Sequence, residues 1–192
     1  MESVHKLETT VAGWYKNLPH LPKGAQKWLA DNVWWIAAIG ALLGALGLLA
    51  LVPAVLVAFG VSAAFGDLGM MPGYGYGYGY GFGGFVWLSV LVSLASLALY
   101  TLLTGMAVSP LKDHKKKGWN LLFLVLLVDV ATAVITLVLS LLGGVGAFVA
   151  GISGLISSLI GVAIGAYFLF EIRGLFGAVA KAEVKKPEAK KA

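Results

Sequence analysis

The chain contains no cysteine and little charge. The absence of cysteine excludes disulfides, thiolate metal sites and a cysteine nucleophile. Only 12% of the 192 residues are charged and 59% are hydrophobic, whereas about a quarter of the residues of a typical soluble domain are charged. This composition predicts a protein whose solvent is a lipid bilayer.

Basic residues are missing from two of the connecting segments. Four of the 14 Lys and Arg residues precede residue 33, four lie between residues 111 and 118, and six follow residue 172. Segments 66–84 and 143–146 contain none. Because basic segments stay on the cytoplasmic side of a membrane, we expect both termini in the cytoplasm and the two loops without basic residues outside. A compact chain without a recognisable targeting signal is expected in the plasma membrane.

Four long apolar stretches indicate the fold class. They cover about residues 33–65, 85–108, 119–142 and 147–172, and each reaches the roughly 20 residues that cross the hydrocarbon layer as a helix. Barrel strands would alternate apolar and polar residues instead. We predict an all-α membrane protein with a four-helix transmembrane bundle in residues 32–177. A cytoplasmic segment, 1–31, precedes it and a flexible basic tail, 178–192, follows it.

The first apolar stretch is too long for one straight crossing. Its 33 residues would extend about 50 Å as a helix. Pro53 is the candidate for a helix break, because proline removes a backbone donor and clashes with the preceding turn. The rest of the stretch would then bend or lie at the outer boundary. Strong tilt of a longer helix is the alternative.

The segment before the first stretch is predicted to form an amphipathic helix. Its apolar residues recur at helical spacing: Val4, Leu7, Val11, Trp14 and Leu18. This face either lies on the cytoplasmic leaflet or packs under the protein's own helices, since both arrangements bury it.

The C-terminal tail is rich in lysine. We expect it to be attracted to anionic lipid head groups, at about 1 kcal/mol per Lys near the surface. No aromatic residue or folded motif accompanies these lysines, so a nucleic-acid partner is not predicted.

The first outer loop, residues 67–84, contains the one internal repeat. Four tyrosines alternate with glycine there: Tyr74, Tyr76, Tyr78 and Tyr80. An extended chain would place all four rings on one face, whereas a flexible chain would present them as separate groups. The repeat is a candidate surface for self-association or a partner. An aromatic belt at the outer interface is the alternative.

Asp129 is the only formally charged residue between Gly118 and Phe170. It lies ten residues after Trp119, about 15 Å along a helix and close to the bilayer midplane. A carboxylate there costs about 2.5–3.5 kcal/mol, so it should face the bundle interior. It is either a neutral acid bonded to hydroxyls of nearby helices or a group that serves a proton, a cation or a pore. The candidate hydroxyls are those of Ser93, Ser96, Thr101, Thr104 and Tyr167.

Small residues at four-residue spacing mark candidate packing faces. Gly40 and Gly44 form one set, and Ser157, Gly161 and Gly165 form the other. Such spacing allows the backbones of two membrane helices to approach closely, within one subunit or between subunits.

No catalytic constellation is visible. The three histidines, His5, His20 and His114, lack ligand spacing, and no phosphate-binding loop or Ser/His/Asp set can be assembled. We therefore predict no enzyme activity, cofactor or metal. The favoured function is a membrane scaffold that forms homo-oligomers through the small-residue faces and the Tyr/Gly outer loop, whose only charged residue is Asp67. The alternative is an oligomeric channel or a proton- or cation-coupled transporter that uses Asp129.

Overall fold

The computed structural model describes residues 10, 11, 13–15, 17–65 and 84–176. Its regular structure is helical, with no strand among these residues. The predicted all-α class is therefore confirmed for this part of the chain. The Tyr/Gly repeat, the first half of the predicted amphipathic helix and the basic tail lie outside the described residues.

Four long α-helices follow one another along the chain. They are α1 (Lys23–Phe65), α2 (Gly84–Lys112), α3 (Lys116–Ser140) and α4 (Gly144–Glu171). A short 3-10 turn, Leu141–Gly143, joins α3 to α4, and a second one, Arg173–Leu175, follows α4. The four apolar stretches of the sequence lie on these helices in the same order.

Three segments are long and apolar enough to cross a membrane. They are Lys23–Val57, Leu88–Lys112 and Lys116–Leu175. The third, of 60 residues, contains both α3 and α4 together with the turn that joins them. The chain thus has the helices of a membrane-spanning protein.

Helix α1 continues through Pro53. It is helical from Lys23 to Phe65, so no break occurs at the candidate position. Proline is tolerated inside membrane helices because neighbouring groups and small local adjustments satisfy the freed backbone oxygen. The first apolar stretch therefore remains one long helix.

Successive helices run antiparallel and pack along their length. From Gly40 to Gly47 along α1, the facing residues of α2 run back from Thr104 to Leu97. Gly118 of α3 faces Leu111 of α2, and the later Thr132 faces the earlier Ser96. Trp119 of α3 faces Leu169 of α4, and the later Ser140 faces the earlier Gly151. Helices α1 and α4 do not pack extensively against each other. The row of helices is consequently left open between its first and last members.

The core lies at the end of the helices that carries the basic residues, here called the basic end. Its buried members are Ala30, Ala37, Ala107, Leu111, Trp119, Phe123, Leu169, Ile172 and Phe176. These residues come from all four helices and the segment after α4. The helices are thus joined at the basic end, and clefts remain between them elsewhere.

The turn between α2 and α3 is tightly packed. A side chain at Gly118 would come within 2.7 Å of the Leu111 backbone nitrogen, so only glycine fits there. His114 in this turn has a φ of 50°, which is uncommon for a residue other than glycine. Its ring lies 3.0 Å from Asp31 of α1 and stacks on Phe176. These contacts connect the turn to the first helix and to the end of the fourth.

Candidate functional site

Asp129 lies at the middle of α3 and lines a cleft between helices. Its side chain is exposed in the isolated chain, and Ser158 of α4 donates a hydrogen bond of 3.2 Å to its Oδ2. Ser158 was not among the hydroxyls that the sequence suggested. It lies near the middle of α4, and only the antiparallel pairing of the two helices brings it to the level of Asp129.

A second polar contact lies one turn farther along α3. Thr132 Oγ1 is 2.8 Å from both Ser96 Oγ of α2 and the Val128 carbonyl oxygen. The Thr132 hydroxyl has one proton, so it donates to one of these oxygens and accepts from Ser96 if it donates to Val128. Ser96, a candidate partner of Asp129, bonds to Thr132 instead. Hydroxyls of α2, α3 and α4 thus lie near the carboxylate.

The polar cleft extends from Asp129 toward the end of the helices opposite to the basic end. Its volume is about 420 Å³. On α3 it is lined by residues at three- and four-residue spacing: Asp129, Thr132, Thr136 and Ser140. Small residues of α4 form the opposite wall: Ala147, Ala150, Gly151 and Gly154. Gly151 is in contact with Ser140 and leaves no room for a side chain.

Asp129 also lines a smaller cavity between α2 and α3. This cavity has a volume of about 280 Å³ and is bordered by Ser96, Tyr100 and Thr132. The polar groups around Asp129 offer oxygen atoms alone, the ligands that hard cations prefer. Among the described residues, no three or more His, Asp or Glu side chains are grouped to hold a metal ion. The arrangement supplies a single carboxyl group surrounded by hydroxyls.

An apolar groove of about 580 Å³ lies nearer the basic end, with walls from all four helices. The α1 wall runs from Trp28 to Gly40, and the α4 wall includes Phe168 and Leu169. Among its lining residues none is charged. Its lining residues include two with hydroxyl groups, Tyr100 and Thr104, and Trp28 with an indole N–H. Thr104 is 3% exposed, and its Oγ1 has no hydrogen-bond partner within the part of the chain that the structure describes.

The first small-residue face packs inside the subunit. A side-chain carbon at Gly40 would lie 3.5 Å from the Tyr100 hydroxyl, and Gly44 is in contact with Thr101. These glycines allow α1 and α2 to approach closely.

In the second small-residue face, Gly165 contacts α3, whereas Ser157 and Gly161 are exposed. Gly165 lies against Leu126 of α3. A side-chain carbon added at Gly165 would lie 3.2 Å from the Leu126 side chain. Ser157 is exposed, and a side chain at Gly161 would meet no atom of the described residues within 4 Å. Part of this face is therefore left without a partner helix.

Glu171 at the end of α4 holds the segment that precedes α1. The carboxylate side chain is 6% exposed. Three groups bond to it: His20 Nδ1 at 2.7 Å, the Leu21 backbone N–H at 2.8 Å and Gln26 Nε2 at 2.9 Å. From the sequence, Glu171 is expected to be an ordinary interfacial anchor. No sequence signal indicates a contact across about 150 residues.

Aromatic contacts reinforce the same junction. Tyr15 stacks on Phe170 and donates a 3.0 Å hydrogen bond to the Ala163 carbonyl oxygen. Burial raises the pKa of the Tyr15 hydroxyl. Trp14 is 71% exposed and Leu18 is 43% exposed. In the described part of the predicted amphipathic stripe, these two side chains therefore do not pack under the protein's own helices.

Trp119 takes a different place from the one expected. The sequence suggests an aromatic belt at the head groups, but Trp119 is 1% exposed and its indole N–H donates a 2.7 Å hydrogen bond to the Leu169 carbonyl oxygen. The Arg173 guanidinium lies 5.7 Å from the centre of its ring, within cation–π distance. Close packing of α3 and α4 encloses this ring at the basic end.

The exposed turn between α2 and α3 carries an ion pair. Lys115 Nζ donates a 2.7 Å hydrogen bond to Asp113 Oδ2. This bond and the positive charge of Lys115 lower the pKa of the Asp113 carboxyl. Solvent screens exposed pairs of this kind, so the contribution to folding is small.

No protein-family model, curated protein or solved structure matches the chain.

Proposed function

We propose that the chain is a non-catalytic, four-pass plasma-membrane protein that associates with further copies of itself as a membrane scaffold. The observation that carries this proposal is the uncovered part of the small-residue face on α4. Ser157 and Gly161 lie on the protein surface, whereas the equivalent glycines of α1 are covered by α2. The Tyr/Gly repeat supplies a second contact surface in this proposal.

The antiparallel arrangement of α3 and α4 supports the proposed four passes. These helices have 25 and 28 residues, and both exceed the roughly 20 residues needed for one crossing. The glycine turn between them reverses the chain, and Gly144 in that turn has a φ of 79°. We infer that the 60-residue apolar segment crosses the membrane twice.

The orientation is inferred from the basic residues. Lys23 and Lys27 at the start of α1, the lysines of the α2–α3 turn and Arg173 after α4 all belong to the same end of the helices. The positive-inside rule puts this end in the cytoplasm. The exposed Trp14 and Leu18 would then contact the cytoplasmic leaflet, and the basic tail would be attracted to anionic head groups.

Gly161 has no side chain, so a helix of a second copy can approach α4 closely at this position. Apolar side chains gain little by leaving lipid for another helix, so membrane helices associate through close packing and hydrogen bonds. The exposed face of Ser157 and Gly161 permits such an approach. The open side between α1 and α4 leaves space beside it for a helix from a second copy.

The test measures the subunit number of the full chain in lipid nanodiscs or native membranes. We expect a defined oligomer for the wild type and at least a tenfold loss of association for Gly161→Leu. Ala95→Leu is the matched control, because Ala95 is exposed on α2 and adds the same bulk elsewhere. A monomeric wild type, or equal association of both variants, would contradict the proposal.

A second candidate, an oligomeric channel or a proton- or cation-coupled transporter, is favoured by the polar cleft. Asp129 lines this cleft at mid-helix, together with hydroxyls of α3 and α4. In proteoliposomes, this candidate requires cation or proton flux that Asp129→Asn abolishes while leaving the subunit number unchanged. Asp113→Asn, in the exposed turn, serves as the control. Equal flux for wild type and Asp129→Asn would eliminate the role of Asp129.

A further inference from the structure

We propose that the polar cleft takes up a small monovalent cation from the end of the helices opposite to the basic end and binds it at Asp129. The packed side chains nearer the basic end prevent this cation from crossing a single chain. The proposal rests on the orientation and on the second candidate function given above, because it concerns the same carboxyl group. It adds the charge of the ligand and the side of entry, and it requires neither self-association nor net transport.

The face of α3 that carries Asp129 changes from polar to apolar at this residue. Away from the basic end, the α3 residues that line the cleft at three- and four-residue spacing are Thr132, Thr136 and Ser140. Toward the basic end, the same spacing gives Leu126 and Leu122, which line the apolar groove. Residues three and four apart share a helix face. Polar groups therefore follow one half of this face and apolar groups follow the other.

The polar half covers about half of a membrane crossing. Eleven residue steps separate Asp129 from Ser140, which is about 17 Å of helix, and half of the hydrocarbon layer is about 15 Å. Both residues line the cleft. The cleft thus connects the end of α3 opposite to the basic end with the carboxyl group at mid-helix.

Between the carboxyl group and the basic end, α3 and α4 are in direct contact. The Leu126 side chain would lie 3.2 Å from a carbon added at Gly165. Nearer the basic end, the Phe123 ring lies edge-on against Phe170, with 5.8 Å between the ring centres. Trp119 beyond it is 1% exposed. This contact leaves no space for a hydrated cation.

The apolar groove does not offer a cation another route. It lies toward the basic end from Asp129, and none of its lining residues is charged. A cation that moved from the carboxylate into this groove would lose its hydration without compensation, which is strongly unfavourable. Entry is therefore one-sided for a single chain.

The residues of the polar cleft determine the charge of the ligand. Among the described residues that line it, Asp129 is the ionisable one and none is basic. One carboxylate balances one positive charge. Carboxylate and hydroxyl oxygens, including those of Asp129 and Thr136, can coordinate an alkali ion or accept hydrogen bonds from an ammonium group. The ligand is accordingly a small monovalent cation.

Small residues of α4 provide room for this ligand. Gly154 lines the cleft, and a side-chain carbon added there would meet no atom of the described residues within 4 Å. The cleft volume of about 420 Å³ exceeds the share of one water molecule in the liquid, about 30 Å³, many times. A cation can therefore enter with part of its hydration shell. A carboxylate at the end of a narrow cleft also raises the local cation concentration.

Cysteine accessibility tests the side of entry, since the chain contains no cysteine. Thr136→Cys places a thiol in the cleft, and Val138→Cys places one at similar depth on the exposed surface of α3 outside the cleft. Intact cells are treated with a cationic trimethylammonium methanethiosulfonate. We expect Thr136→Cys to react at least about tenfold faster than Val138→Cys, because only a hydrated thiol ionises readily to the reactive thiolate.

The same thiol tests the charge of the ligand. The cationic reagent should modify Thr136→Cys at least about fivefold faster than an anionic sulfonate reagent of similar size. Both rates are first divided by those at Leu142→Cys, in the exposed turn. Asp129→Asn in the Thr136→Cys chain should abolish this preference.

A titration identifies the cation. NaCl, KCl and methylammonium chloride each replace N-methylglucamine chloride at constant ionic strength. A small cation bound at Asp129 should slow the cationic reagent at Thr136→Cys saturably, and Asp129→Asn should remove this protection. The salt that protects at the lowest concentration distinguishes an alkali ion from an ammonium ion.

Four results would overturn the proposal. They are equal rates at Thr136→Cys and Val138→Cys, a cation preference that persists in Asp129→Asn, no saturable protection by any of the three salts, and modification of Leu126→Cys in inside-out vesicles, where Lys117→Cys reacts. If Thr136→Cys is not monodisperse, Ala133→Cys, which also lines the cleft, replaces it with the same expectations. Absence of flux in proteoliposomes would remove the transporter candidate alone, because the labelling rates report binding and access without transport.

Discussion

Glu171 and Asp129 are both acidic residues of apolar helices, yet their surroundings differ. Glu171 has three hydrogen-bond partners from the segment before α1 and from α1 itself, and its side chain is 6% exposed. Among the described residues, Ser158 is the hydrogen-bond partner of Asp129, which remains exposed to a cleft. The first arrangement satisfies the carboxylate and holds two distant segments together. The second leaves a carboxylate able to interact with something that enters the cleft.

Replacing Glu171 by alanine should loosen the contact between the N-terminal segment and α4. The Leu21 N–H and the Gln26 amide would lose their acceptor, and leaving buried donors unsatisfied costs about 1–3 kcal/mol. We expect a loss of this size in the free energy of unfolding, measured by denaturant titration in mixed micelles. The Leu21 amide should also exchange hydrogen faster.

Asp113→Ala is the control for this prediction. Asp113 is an exposed acid in the α2–α3 turn that bonds to Lys115, and it has no bond to the described part of the N-terminal segment. This variant should leave the Leu21 exchange rate unchanged. An unchanged rate in Glu171→Ala as well would show that the carboxylate does not hold the segment.

Some features of these two acidic residues can be predicted from the sequence, and others cannot. Asp129 was singled out because a charge in an apolar run is costly wherever that run lies in a membrane. Its partner Ser158 was missed, since any of several hydroxyls can face it and the choice depends on helix rotation. The contacts of Glu171 with the segment before α1 were not predicted, because contact with water is normally enough to explain an acidic residue at the end of a span.

At the scale of the helices, glycine has opposite roles at two positions. At Gly118, the first turn of α3 lies against the end of α2, and an added carbon would meet backbone atoms of Pro110 and Leu111. At Gly24, in the first turn of α1, an added carbon would meet nothing within 4 Å. The same chemical change should therefore have opposite consequences.

Gly118→Ala should destabilise the fold by about 1–3 kcal/mol, the usual cost of forcing an extra carbon into a packed site. Gly24→Ala should leave stability unchanged or raise it by up to about 1 kcal/mol, because alanine favours the helix. Thermal unfolding of both variants in the same detergent checks this pair. A Gly118→Ala variant as stable as Gly24→Ala would mean that the α2–α3 contact is looser than described.

The helices themselves were largely predictable, whereas their contacts were not. The long apolar stretches correspond to α1–α4 because a backbone in lipid must satisfy its own hydrogen bonds within each segment. The continuity of α1 through Pro53 was harder to predict from the sequence, because whether proline interrupts a membrane helix depends on its neighbours. Trp119 likewise became a core residue because α3 and α4 pack around it.

At the scale of the whole molecule, the helices are joined at the basic end and open elsewhere. The buried core is concentrated near Trp119 and Leu111, while the polar cleft reaches the opposite end near Ser140. Helices α1 and α4 do not close the row of helices. This asymmetry leaves two clefts of different chemistry within one chain, an apolar groove near the lysines and a polar cleft away from them.

The proposed four-pass arrangement predicts opposite accessibility of the two turns that flank α3. The chain lacks cysteine, so single cysteines can be introduced at exposed positions at either end of α3. In intact cells, a membrane-impermeant maleimide should label Leu142→Cys at once and Lys117→Cys only after permeabilisation. Labelling of both positions from the same side would mean that α3 does not cross the membrane.

The helical class and the membrane as solvent were determined by the sequence alone, because both depend on the composition of each segment by itself. The unequal distribution of lysine and arginine likewise supports an orientation without any knowledge of packing. The tertiary structure decided which faces meet: Ser158 with Asp129, Gly118 with Leu111, and Glu171 with the segment before α1. Such pairings depend on how the helices rotate and align, and residues far apart in the chain determine that together.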